Sequence, residues 1–501
     1  MYRNVLEYLE ENALKYPEKA AFDDDKKIVT FHELMVQAKA IGSALSTVNC
    51  VGKPVVVYLP KGCDCITSFM GIVYSGGFYC PIDVKMPADR VSAIFGVLKP
   101  AAIISTAKYA GKIREISEDC PVLLFEECIA TEADTLFLSR VRSAMVDTDP
   151  LYVLFTSGST GIPKGVVVSH RSMIDFAEWL VPKFAISYTD IIGNQGNFYF
   201  DLSVLDIYGG LKSGATVCII PAKKFMFPVD LIRFLNEKKI TIINWVPSMI
   251  CNVANMKALD VELPASLEKV LFCGEVMPAK QLNIWKNHLP DVMYVNLYGP
   301  TEIVYACTYF VIDRAFQDDE ALPIGSACEN TKILVLNEKD ELVQGEEAGE
   351  LCVGGTCVAL GYYNNSDKTN TAFVQNPLNP YYNEMIYRTG DIVKYNELGE
   401  LMYLSRKDFQ IKHMGHRIEL GEIETALLDN AFVENCACIY DDEAKEICAF
   451  YIGENVDAAE IVNHLKSKIP AYMIPGKVIY LDRFPYNING KIDRLALKNM
   501  K

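Results

Sequence analysis

Residues 151–170 constrain this chain more than any other stretch. Leu151 to Phe155 is a continuous apolar run, the pattern of a buried strand. It feeds into Thr156-Ser157-Gly158-Ser159-Thr160-Gly161-Ile162-Pro163-Lys164-Gly165, and a second apolar run, Val166 to Val168, follows. The three glycines permit a tight turn and bring backbone N–H groups close to an anion. Four hydroxyls and the Lys164 ammonium add donors that phosphate oxygens accept. A Ser/Thr/Gly run by itself is a solvated turn. The embedded lysine and the two flanking strands make this one a phosphate cradle. It is not a Walker A loop, because Pro163 stands before Lys164 where Gly is required and Gly165 follows where Ser or Thr is required.

Seven further stretches accompany the loop. In chain order with it they are Phe78-Tyr79-Cys80-Pro81-Ile82-Asp83, then Phe200-Asp201-Leu202-Ser203-Val204-Leu205-Asp206, then Asn296-Leu297-Tyr298-Gly299-Pro300-Thr301-Glu302. Gly349 to Gly355, Tyr387-Arg388-Thr389-Gly390-Asp391 and Gly415 to Glu424 come next, and Asn489-Gly490-Lys491-Ile492-Asp493-Arg494 closes the set. Together they resemble the adenylate-forming superfamily, which holds acyl-CoA synthetases, luciferases and the amino acid adenylation domains of nonribosomal peptide synthesis. The resemblance covers nearly the whole chain in the expected order.

A chain of 501 residues exceeds one hydrophobic core and implies two to four domains or subdomains. Half of the residues are apolar and 22% are charged, the balance of a globular protein. The net charge of −16 argues against nucleic acid or an anionic membrane as partner. The N-terminus lacks the apolar centre of a signal peptide, and no run is long enough to span a bilayer. Sixteen cysteines contain no Cys-x-x-Cys pair, so they read as reduced core thiols of a cytoplasmic enzyme. Cys63 with Cys65, and Cys436 with Cys438, are spaced as on one face of a strand. His413 and His416 have helical spacing for a metal but no third ligand nearby.

Short β-branched runs at Val55–Leu59, Ala102–Ser105, Val122–Leu124, Thr216–Ile220 and Ile240–Val246 alternate with amphipathic stretches such as Phe31–Thr47 and Pro87–Leu98. This alternation predicts an α/β fold with mainly parallel sheets covered by helices. The expected organisation is a large core over residues 1–404, with a β-rich subdomain within 310–404. A hinge at 405–408 and a small mobile α+β lid over 409–501 follow. In the lid, Ile418–Leu427 and Ala458–Lys468 read as helices, and Cys436–Tyr440 and Ile447–Ile452 as strands.

The resemblance implies roles for particular residues. Thr156, Ser157, Gly158, Thr160 and Lys164 cradle the β- and γ-phosphates of ATP. Thr301 contacts the α-phosphate and Glu302 holds Mg²⁺, a hard ion that oxygen ligands suit. Asp391 receives the ribose hydroxyls, Arg406 is a second ribose and phosphate contact, Tyr298 stacks on adenine and Asn296 reads its amino edge. Here Ser405 precedes Arg406 where the family has Gly. Lys491 lies over the α-phosphate and the substrate carboxylate, and Asp408 is the hinge about which the lid turns.

Asp201 resembles the aspartate that pairs with the α-ammonium of an amino acid, although an aspartate here also suits a helix N-cap. Asp201, Leu202, Leu205, Asn244, Leu271, Cys273, Leu297, Tyr305 and Ala306 match the family's side-chain pocket. Leu202, Leu271, Cys273 and Ala306 resemble the D-alanine–carrier protein ligase branch. Asn244, Leu297 and Tyr305 depart from that branch, and Asn244 and Leu297 resemble pockets for cysteine. The resemblance therefore implies a small amino acid, namely alanine of either hand, cysteine, serine or glycine. With no fused carrier domain in 501 residues, the expected acceptor is the phosphopantetheine thiol of a separate carrier protein. The alternatives are an acyl-CoA synthetase, which Asp201 disfavours, and a degenerate nucleotide-binding module, which intact Lys164, Glu302, Asp391 and Lys491 disfavour.

Overall fold

The computed structural model describes residues 2–117, 119–158, 162–408, 410–441, 444–486 and 492–500. The chain divides into two compact units. The first comprises residues 1–84, 100–154 and 166–407, and the second 85–99, 155–165 and 408–501.

The first unit is built on two large sheets, as βα alternation dictates. In the nine-stranded sheet the neighbours run Ser326–Ala327, Thr308–Val311, Met293–Tyr298, Lys269–Phe272, Ile242–Trp245, Ile191–Asn194, Thr216–Ile219, Ala20–Asp23 and Ile28–Thr30. Its central pairings are parallel and its rims antiparallel. In the seven-stranded sheet Phe78–Pro81, Pro54–Tyr58, Ala102–Ser105 and Val122–Leu124 pair in parallel. Strands covered on both faces read as continuous apolar runs, which is why Pro54–Tyr58 is buried at every residue. A third sheet of Thr331–Leu336, Gly349–Gly355, Met385–Tyr395, Phe373–Gln375 and Leu401–Arg406 is antiparallel throughout.

The spacing of Cys63 and Cys65 misleads. Both lie in the first turn of the helix Cys63–Tyr74, not on a strand. Every residue of that helix except Asp64 is buried, so its sequence is apolar on all sides and shows neither the helical nor the strand period. It packs on the helix Phe31–Ala44, which begins with a capping box: Thr30 accepts from the Glu33 N–H and Glu33 accepts from the Thr30 N–H.

The second unit has its own core. A hairpin of Gln410–His413 and His416–Glu419 leads into the helix Leu420–Leu428. Val433–Asp441 and Glu446–Gly453 pair antiparallel, and Lys477–Tyr480 joins in parallel after the helix Ala458–Lys468. Ile418, Ile423, Leu427, Cys438, Ile461 and Leu465 form the core. The expected helix at Ile418 therefore starts two residues later, because Ile418 and Glu419 close the hairpin. Cys436 and Cys438 do share a strand. His413 and His416 face each other across the hairpin, and His416 stacks on Tyr472 at 3.7 Å. Among the described residues no group of three or more His, Cys, Asp or Glu is arranged to hold a metal, and no helix is long and apolar enough to cross a membrane.

The two central helices of the first unit meet through a glycine. A Cβ at Gly71 would lie 2.5 Å from Ile41 Cβ and Cγ2. Alanine in a helix is favoured over glycine by about 0.5–1 kcal/mol, but overpacking costs about 1–3 kcal/mol. Gly71→Ala should therefore lower the thermal unfolding midpoint by several degrees; a raised midpoint would show that Ile41 yields freely.

Candidate functional site

Of the residues matching the amino acid pocket, Asn244, Leu271, Cys273 and Leu297 come from near the carboxyl ends of adjacent parallel strands, where α/β sheets present ligand-binding groups. Register does the placing. Asn244 is the Cα partner of both Asn194 and Leu271, and Leu271 is the partner of Val295. Cys273 follows the end of one strand, and Leu297 lies near the end of the next. Leu202 and Leu205 come from the first turn of the helix Leu202–Ser213. Leu202, Leu205, Asn244, Leu271, Cys273, Leu297, Tyr305 and Ala306 are all buried. The Tyr305 hydroxyl donates to Asn244 Oδ1 at 2.7 Å. Burial, with the Cys273 thiol beside it, pushes that hydroxyl well above the usual phenol range.

The loop from Tyr298 to Ala306 doubles back sharply. Val304 has φ 72° and ψ −67°, and the Tyr305 N–H donates to Ile303 O at 2.9 Å, a γ-turn with positive φ. A β-branched residue in that conformation is strained by about 1–3 kcal/mol. Gly299 makes the fold-back possible, since a Cβ there would meet Tyr305 O at 2.5 Å. The turn carries Thr301 and Glu302 on one arm and Tyr305 and Ala306 on the other.

Asp201 occupies the N-cap position of the helix Leu202–Ser213, yet its side chain makes no capping bond. Its Oδ2 instead accepts the Thr301 hydroxyl. The candidate ammonium partner and the candidate α-phosphate contact are thus adjacent. Glu302 is fully buried and accepts the Tyr362 hydroxyl at 2.7 Å. Asp391 is 1% exposed. Arg406 Nη1 reaches its Oδ1 at 2.6 Å, and the Tyr298 hydroxyl donates to its Oδ2. Burial and then the Asp391 carboxylate raise the Tyr298 hydroxyl far above the phenol range. Asn296 Nδ2 donates to Pro323 O at 2.8 Å.

In the second unit the phosphate loop already holds anions. Lys164 Nζ lies 3.3 Å from Glu419 Oε1, and the Gly158 N–H donates to Glu422 Oε2 at 3.1 Å. Ser157 Oγ donates to Arg417 O at 2.8 Å and accepts the Glu419 N–H at 3.0 Å. Arg90 also pairs with Glu422, whose carboxyl burial nonetheless pushes upward. Thr156 Oγ1 is buried and has no hydrogen-bond partner among the described residues. An ammonium and an N–H turned to carboxylates, a hydroxyl turned to a backbone carbonyl and a second buried hydroxyl beside them are donors that a polyphosphate fits. Asp408, first residue of the tail segment, accepts the Gln410 N–H at 3.2 Å. Thr160 and Lys491 lie outside the described residues. Close by in sequence, Arg494 forks onto Glu424 at 2.7 and 3.2 Å.

Sequence reasoning did not single out Glu419, Glu422, Arg90, Asn194 or Asp206 as members of these clusters. The two glutamates lie in a quoted motif, but nothing local says that they face the loop. Asp206 sits five residues after Asp201, and its neighbours Val204, Leu205, Ile207 and Tyr208 are all apolar or aromatic, which was a usable signal of a buried acid.

Residues 9–363 match the AMP-binding enzyme family and residues 422–491 the AMP-binding enzyme C-terminal domain. A D-alanine--D-alanyl carrier protein ligase of Listeria monocytogenes is 34% identical over 100% of this chain and 99% of its own length. Tyrocidine synthase 1 of Brevibacillus parabrevis is 30% identical over 99% of this chain, which spans 45% of that longer protein. The Vibrio cholerae adenylation domain AlmE, solved with glycyl-adenosine-5'-phosphate, superposes with a TM-score of 0.85 at 22% identity, covering 100% of this chain and 98% of that one. The chain belongs to the AMP-binding enzyme family, of which it carries both the main and the C-terminal domain.

Proposed function

We propose that this chain is an ATP-dependent, AMP-forming ligase that activates a small amino acid and passes it to the phosphopantetheine thiol of a separate carrier protein. In the first step a substrate carboxylate oxygen attacks the α-phosphorus, the bond to the bridging oxygen breaks, and pyrophosphate leaves. In the second, the thiol sulfur attacks the acyl carbon, its proton departs, and AMP leaves. The relative from Listeria monocytogenes, matched along both whole chains, supports the carrier as acceptor. The observation that carries the reading is Asp201, which declines its capping role and stands beside Thr301 with a carboxylate for the substrate ammonium.

Two anions must meet, so charge compensation dominates the chemistry. Thr156, Ser157, Gly158, Thr160 and Lys164 hold the β- and γ-phosphates. Thr301 takes the α-phosphate. Asp391 and Arg406 hold the ribose, and Tyr298 and Asn296 the adenine. Glu302 would hold Mg²⁺, which supplies positive charge to the phosphates; one carboxylate plus phosphate oxygens is a usual set for that ion. Lys491 neutralises the α-phosphate and substrate carboxylate in the first step. Asp408 is the pivot about which the tail turns for the second.

Pyrophosphate exchange across a panel of amino acids tests the reading. Alanine of either hand, cysteine, serine and glycine should lead, with modest discrimination among them, because one methylene is worth only about 1–3 kcal/mol. Asp201→Ala should remove most of the exchange by stranding the ammonium. An aromatic amino acid or an acid without an amino group as best substrate would overturn the pocket.

Lys491→Ala should slow adenylate formation by at least about 10²-fold, the scale for losing a preorganised charge, while ATP binding persists. Near-normal exchange would remove Lys491 from the mechanism. Glu419→Gln removes a carboxylate that competes with phosphate for Lys164. A nonhydrolysable ATP analogue should then bind at least about fivefold more tightly, because the ammonium no longer has to leave a buried carboxylate to reach the phosphates. Weaker binding by calorimetry would mean that Glu419 supports the loop instead.

A further inference from the structure

One buried acid has no part in the roles above. Asp206 lies on the helix Leu202–Ser213 and is fully buried. Among the described residues no cation forms an ion pair with it. Its oxygens are met by two side-chain amides instead: Asn194 Nδ2 donates to Oδ2 at 2.7 Å and Asn244 Nδ2 to Oδ1 at 3.3 Å. Both asparagines are fully buried and stand side by side because adjacent parallel strands pair them in register.

The Asn244 amide is spoken for on both ends. Its two N–H protons go to Asp206 and to Leu202 O, the latter at 3.0 Å. Those acceptors fix which way the amide points, so Oδ1 faces Tyr305 and accepts its hydroxyl. A hydroxyl can donate or accept, whereas a carboxylate and a carbonyl only accept. Orientation therefore runs from Asp206 and Leu202 through Asn244 to Tyr305, and not the reverse. Burial pushes the Asp206 carboxyl up to about 7, with Asn194, Asn244 and the more distant Lys61 ammonium pulling the other way. Asn194 Oδ1 is buried and has no partner among the described residues.

We infer that Asp206 is a positioning residue that holds Asn244, and through it Tyr305, in the wall of the amino acid pocket. The role rests on the proposed pocket, and it is one of hydrogen-bond geometry, not of charge. An asparagine at 206 would accept from Asn244 through its Oδ1. It would donate to Asn194 Oδ1 once that amide turned over, giving the orphaned oxygen a partner. An alanine would instead leave a cavity and two amides short of an acceptor.

The experiment is steady-state kinetics of pyrophosphate exchange with alanine, on the full chain. Asp206→Ala should raise the KM for the amino acid at least about tenfold, the scale of one lost buried hydrogen bond. The KM for ATP should stay unchanged and kcat should stay within about threefold. Asp206→Asn should restore the amino acid KM to within about threefold of the unmodified protein. In a Tyr305→Phe background, Asp206→Ala should add less than about twofold, because residues in one chain of bonds are not additive. Two results overturn the inference: Asp206→Asn as damaging as Asp206→Ala, or full multiplication of the Asp206 and Tyr305 effects. If Asp206→Ala does not fold, the asparagine variant still decides. A failure of the pocket itself looks different, since Tyr305→Phe and Asn244→Ala would then leave the amino acid KM untouched.

Discussion

The candidate amino acid pocket depends on the in-register pairing of parallel strands. Within Ile191–Asn194, Ile242–Trp245, Lys269–Phe272 and Met293–Tyr298 the backbone groups are consumed by the ladder and nearly every residue is buried. Such strands can offer polar side chains to a ligand only where they end. Asn194, Asn244, Cys273 and Tyr298 stand at or just beyond those ends. A slip of one residue in any pairing would point each of them to the opposite face. The pocket is thus a consequence of register first and of residue identity second.

Charge imposes a second constraint, felt separately in each unit. A row of buried donors without an acceptor is costly. In the phosphate loop, Glu419 and Glu422 meet this need, each with its own cation, Lys164 and Arg90. In the first unit, Asp391 is met by Arg406 and Tyr298, and Asp201 by Thr301. Lys164, Asp391, Arg406, Tyr298, Asp201 and Thr301 are the members of these pairs to which the proposed function gives a nucleotide or amino acid role. The donors and acceptors are held in place by one another, so a ligand exchanges one set of bonds for another instead of ordering loose side chains.

Much of this was legible in the residues. The apolar runs at Ala102–Ser105 and Val122–Leu124 give strands with the same ends, and Ala458–Lys468 gives a helix with the same ends. The phosphate loop follows one strand and precedes another, as its flanks require. What was not legible has a common cause. The helix at Cys63 is buried on all sides and so carries no period. The junction at Ile418 switches from strand to helix inside one motif, and apolar pattern cannot place such a boundary. The grouping of residues 85–99 and 155–165 with the tail joins segments far apart in sequence, and so do the pairs of Glu419 and Glu422 with Lys164 and Arg90.

The polar residues of the proposed amino acid pocket also change meaning once their partners are known. Read as a composition, Asn244 and Tyr305 suggest a cavity that welcomes a hydroxyl or thiol. In the fold, both Asn244 protons are donated within the wall, and its Oδ1 is taken by Tyr305. The Tyr305 hydroxyl lies between that oxygen and the Cys273 thiol. A polar wall whose bonds are already made interacts with a ligand largely as an apolar one does, because any new bond must break an old one. In the proposed pocket, selectivity among small side chains would then fall to volume, set by Leu202, Leu205, Leu271 and Leu297.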